Sequence, residues 1–177
     1  LIPLFGHASV IFSAAGARLD SARDALSGLL LRALAALPAG RVRLTLADHA
    51  HKGQAFSNLL KLHKTIRGDM VWHEPRDIDE AIKGLIEHMS TVIQKYLTNQ
   101  YADLEAYNAA AVDLVEPYRI LAIADFPAGF DKNMADRVLS IARNGRRVGV
   151  YVVMTFDEQA AVPNGFNLDE LERICTV

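Results

Sequence analysis

The sequence contains one cysteine, Cys175, so an internal disulfide is excluded and a reducing compartment is expected. Charge of neither sign dominates: 19 Lys+Arg stand against 21 Asp+Glu, a net of −2. A domain-wide basic grip on nucleic acid is thereby excluded, although a local basic patch can survive within a neutral total. No apolar run approaches the ~18 residues of a membrane helix, the best of them being cut by Arg32 and Pro38. The opening Leu1-Ile2-Pro3-Leu4-Phe5 has no basic segment before it and is too short for a secretion signal. The chain starts at leucine, which reads as a fragment of a larger, multi-module protein that is cytoplasmic and makes no membrane contact through this segment. Repeats and low-complexity stretches are also missing. What is present is a globular composition: 177 residues with 51% hydrophobic and 23% charged side chains. One domain of this size buries roughly 70% of its unfolded surface, and needs neither disulfide nor metal to fold.

The pattern alternates strands with helices. Ser9–Ser13 is a short β-prone run. Leu26, Leu29, Leu30, Ala33, Leu34 and Leu37 then recur at helical spacing until Pro38-Ala39-Gly40. Arg41–Ala47 alternates polar and apolar and ends at Asp48. A second, shorter helix is expected between Gly53 and Thr65, and a short strand at Met70–Trp72. Ile78, Ile82, Leu85, Met89, Val92 and Tyr96 form one face of the longest helix, over Asp77–Tyr96. A bend or restart is expected over Asn99–Asn108, with a further turn over Ala109–Leu114. Tyr118–Ala124 is a nearly continuous apolar run closed by Asp125, the pattern of a strand buried on both faces. A helix over Asp131–Arg143, closed by Gly145, leads to another buried strand at Val148–Thr155. These features predict an α/β module over residues 1–177: three layers, with a mostly parallel central sheet flanked by helices. Ligands in such sheets sit beyond the carboxyl ends of the strands. Here those ends carry Ala14–Ser21, Asp48–Lys52, Asp125–Phe130 and Thr155–Asp157.

Two stretches resemble the motor domain of the FtsK/SpoIIIE DNA-translocating ATPases. Arg41–Asp48 is similar to the strand leading into that family's Asp-Pro-Lys motif. Pro117–Asp125 is similar to its Walker B strand, and Ala142–Thr155 to the segment ending in its polar sensor. Glu87-His88-Met89 and Tyr107-Asn108 fall where the family has a long helix and a Tyr-Asn pair. The resemblance, over about residues 8–157, implies a P-loop NTPase-like fold, ATP with Mg²⁺ as cofactor, a ring of subunits or modules as partners, and double-stranded DNA as a further one. It places a degenerate nucleotide site at Gly16, Arg18, Ser21, Asp125 and Asp157, and sets the Ser9–Ser13 strand beside Tyr118–Ala124.

The departures fall on the chemistry. A phosphate loop needs G-x-x-x-x-G-K-[ST]. The corresponding turn, Ala14–Ser21, has one glycine, no Gly-Lys-Ser and an aspartate, Asp20. Arg18 or Arg23 offers a cation there, each read more simply as a surface arginine. Asp125 keeps the Walker B aspartate, which could equally cap the loop after its strand, but the carboxylate expected next is Phe126. Asp157 stands at the sensor position. Without lysine and catalytic carboxylate, ATP binding is expected to be weak or absent, and hydrolysis by this chain alone negligible.

Other constellations remain. Arg143, Arg146 and Arg147 cluster before the last strand, offering an interface contact, a DNA-phosphate contact or simple solvation of a helix end. The resemblance puts them on the side where the nucleotide crevice opens. Asp48, His49 and His51 offer metal-ligand chemistry without an identifiable fourth ligand. Three readings stand together: a degenerate module of a DNA-translocating or DNA-segregation ATPase, a non-catalytic interaction scaffold, and a metal-dependent hydrolase using Asp48, His49 and His51.

Overall fold

Burial follows the sequence periodicity closely. The computed structural model describes residues 5–6, 8–67, 70–98, 100–111 and 115–175. Of the further turn expected over Ala109–Leu114, Ala109 and Ala110 close the helix Leu104–Ala110, while residues 112–114 lie outside the described residues, as do 1–4 and Asn99.

The elements are β1 (Val10–Ala14), α1 (Arg18–Ala36), β2 (Val42–Ala47), a short α2 (Lys64–Arg67), β3 (Val71–Trp72), α3 (Pro75–Val92), α4 (Leu104–Ala110), β4 (Tyr118–Phe126), α5 (Lys132–Asn144), β5 (Val150–Asp157) and α6 (Leu168–Ile174). All pairings are parallel, in the order β1-β5-β4-β2-β3. The expected β1–β4 neighbours are therefore corrected: β5 lies between them, with Val10 opposite Val153 and Ala122 opposite the same valine. A local pattern specifies that a strand forms but not which long apolar run pairs with it. β5, buried along nearly its whole length, takes the place between the two.

The sheet separates two apolar layers. One face meets α1 through Leu26, Leu30 and Ala33, which pack on Val10, Leu44, Leu46, Ile120 and Ala122. The other meets α3 and α5 through Ile78, Ile82, Leu85, Met134, Val138 and Ile141, which pack with Leu121, Ile123, Val152 and Met154. The strand residues alternate between these layers, as a two-residue side-chain period requires. The α3 stripe holds through Val92, after which Ile93–Leu97 continues as a π-helical turn. Arg146, Arg147 and Val148, expected at or beside a strand, form a 3₁₀ turn with Gly145, and β5 starts at Val150.

Candidate functional site at the carboxyl end of the sheet

β4 and β5 run in register up to Ile123 opposite Met154, then shift, so that Phe126 rather than Asp125 faces Phe156. The extra residue on β4 is a β-bulge, a device that re-aims side chains at strand ends. Asp125 sits in it with φ +54, a left-handed conformation that aspartate tolerates better than most residues. Its backbone N–H donates to Thr155 Oγ1 at 2.7 Å, and the Thr155 hydroxyl donates to Asp125 Oδ1 at 2.9 Å. Thr155 is fully buried on β5. The strand pair thus grips one carboxylate oxygen.

The other oxygen is held by basic side chains of the same chain. Arg23, from the second turn of α1, donates to Asp125 Oδ2, while its other terminal nitrogen pairs with Asp20. His51 Nε2 lies 2.8 Å from Asp125 Oδ2 and 2.9 Å from Arg23 Nη1. The Asp125 side chain is 8% exposed and that of Arg23 17%. Burial by itself would lower the Arg23 pKa, but the hydrogen bond to Asp20 and the attraction and hydrogen bond of Asp125 carry it above its ordinary value. Arg23 is therefore no incidental surface arginine; it forms an ion pair with Asp125 at the carboxyl end of β4.

The phosphate side is equally reshaped. Only Ala15, Gly16 and Ala17 separate β1 from α1. Gly16 takes φ +56, and the Arg18 and Leu19 amides are spent on Ala15 and Gly16 carbonyls in this tight turn. A loop this short offers no concave ring of free N–H groups for phosphate oxygens. Arg18 and Ser21 stand exposed on the first turns of α1. Phe126, in the position expected for a catalytic carboxylate, is fully buried against Phe130, Phe156 and Phe166. Asp157 is aligned with Ala14 on the far side of β5, and its carboxylate accepts from the Gln159 amide. The sensor-like polar group that reaches Asp125 is instead Thr155. These residues do not fit a Mg²⁺–ATP complex.

Asp48, His49 and His51 are not brought together as ligands. Asp48 is fully buried and its two oxygens accept from the His51 and Ala55 amides. His49 Nδ1 lies 2.8 Å from the His73 carbonyl, with its ring against Gly129. Among the described residues no group of three or more His, Cys, Asp or Glu could hold a metal ion.

The arginine cluster is also relocated. Arg143, Arg146 and Arg147 line a cavity of about 470 Å³ together with Tyr118, the first residue of β4, and Tyr151, the second of β5. That is the amino end of the sheet, opposite Asp125, because Arg143 in the last turn of α5 and Arg146 and Arg147 in the 3₁₀ turn all precede β5. Arg143 pairs with Glu170, and Arg147 Nε donates to the Ala102 carbonyl at 2.9 Å. The Tyr-Asn pair has a structural role: the Asn108 side chain donates to the Glu116 carbonyl and accepts from its amide, fixing the entry to β4.

No family model matches the sequence, and no curated protein does. Solved structures do match. The cytoplasmic domain of EssC superposes with a TM-score of 0.74 at 18% identity, over 94% of this chain and 31% of that one. EssC ATPases 2 and 3 from Geobacillus thermodenitrificans give 0.71 at 19% identity, over 94% and 30%. The pCW3 conjugation coupling protein TcpA, in its monomer form with ATPgS, gives 0.64 at 13% identity, over 88% and 44%. The fold is the one these neighbours share: a parallel central sheet flanked by helices, in a three-layer α/β arrangement. The chain spans under half the length of each of them. Among the described residues no helix is long and apolar enough to cross a membrane.

Proposed function

We propose that this chain is a non-hydrolysing, ATPase-like module of a larger cytoplasmic motor, contributing contacts to neighbouring modules or subunits in place of catalysis. One observation carries the reading: the Asp125 carboxylate, which would have to face Mg²⁺, is occupied by Arg23 and His51. The short β1–α1 turn and the buried Phe126 support it. The neighbours are ATPase domains of multi-domain proteins, one of them solved with ATPgS, which favours descent from a nucleotide-binding module. In this chain the crevice serves as a structural clasp between β4, β5, α1 and the loop after β2. Contact with double-stranded DNA would have to come from Arg146 and Arg147 at the other end of the sheet.

ATP turnover and ATP–Mg²⁺ binding by the purified chain test the reading. Neither should rise above background. Turnover in the ordinary enzymatic range of about 1–10³ s⁻¹ that is lost in Asp125→Ala would overturn it.

A further inference from the structure

Away from the crevice, a groove of about 780 Å³ opens between α3, β2 and β3. Arg43 and Arg119 line it as register partners on adjacent parallel strands, so both side chains leave the same face of the sheet about 4.8 Å apart at the backbone. Lys64 of α2 adds a third cation. Like charges side by side repel and cost stability unless something neutralises them. One carboxylate does so in part: Glu116 lies 3.7 Å from Arg119 Nη2 and 3.6 Å from His88 Nε2. Arg119 Nε and His88 Nε2 are nonetheless buried with no hydrogen-bond partner. Among the described residues no carboxylate pairs with Arg43 or Lys64. The surplus of positive potential is felt locally: burial first, then Arg119 and Arg43, push the His88 pKa down to about 4. Trp72 and the exposed Met70 supply an apolar wall beside the cations.

We propose that this groove binds a small phosphate-bearing ligand, its phosphate between Arg43 and Arg119 and its organic part against Trp72 and Met70. Two arginine forks suit a phosphate dianion, because each presents paired N–H donors to its oxygens. The site is independent of the clasp at Asp125. It needs no Mg²⁺, so its test does not depend on whether the crevice binds ATP.

Binding of inorganic phosphate and of phenyl phosphate to the chain would be followed by calorimetry without Mg²⁺. Phenyl phosphate should bind more tightly than inorganic phosphate, and Arg43→Gln should weaken it about tenfold or more, the loss of one charged hydrogen-bonding group. Arg43 is exposed, so this variant keeps the fold. Arg76→Gln, altering an exposed arginine of α3 that pairs with Glu80, should change nothing. Absence of saturable binding, or equal affinity in wild type and Arg43→Gln, overturns the proposal. So does a result in which Arg43→Gln weakens only a 20-bp DNA duplex, which would assign the groove to a polymer backbone.

Discussion

Replacing Arg23 by methionine keeps an apolar stem of similar length and removes only the guanidinium from the clasp. Removing one member of a buried ion pair costs about 3–5 kcal/mol when the other is left uncompensated. Asp125 would not be abandoned: the Thr155 hydroxyl remains at 2.9 Å and His51 Nε2 at 2.8 Å. Those two partners should retain part of the stabilisation, leaving a loss of about 2 kcal/mol. The Asp20 half of the bridge adds little, since that carboxylate is 81% exposed. For a domain of this length, about 2 kcal/mol corresponds to a fall in Tm of about 4–8 °C. Urea unfolding of wild type, Arg23→Met, Asp125→Asn and the double variant completes a cycle. The double variant should be more stable than the sum of the single losses implies, by about 1–3 kcal/mol, because neither charge is then left alone. A loss under about 0.5 kcal/mol in Arg23→Met, or strict additivity, would refute the view that Arg23 holds Asp125.

Three further expectations concern other parts of the molecule. His88, with its pKa lowered to about 4 from 6.5, is favoured neutral in the folded state, so stability should fall as pH drops from about 6.5 to about 4, by up to about 3 kcal/mol; unfolding across that range should show a smaller pH slope in His88→Leu. Gly129→Ala should cost about 2 kcal/mol or more, because φ is +78 and the added Cβ would meet the His49 ring at 2.4 Å; thermal melting checks this, and a change under about 0.5 kcal/mol would contradict the packing. Arg146→Gln/Arg147→Gln should weaken duplex DNA binding and reduce its salt slope by roughly one for each phosphate no longer bound, or change the mass measured by light scattering; no change in either would reduce these arginines to helix-end solvation.

Local pattern alone determined much of this protein. The stripe from Ile78 to Val92 and the apolar runs of β4 and β5 are buried as their periodicity requires, since side-chain direction repeats every 3.6 residues in a helix and every two in a strand. That Ala14–Ser21 holds no lysine and that Phe126 follows Asp125 are identities read directly from the sequence. Tertiary structure decided the rest. Arg23 and Asp125 stand 102 residues apart, and His51 and Asp125 74 apart, so no spacing announces their meeting. The insertion of β5 between β1 and β4 makes Thr155, rather than Asp157, the neighbour of Asp125. Which strands pair is settled by competition among long-range burial partners, and an ionised side chain takes its role from whichever opposite charge that competition leaves beside it.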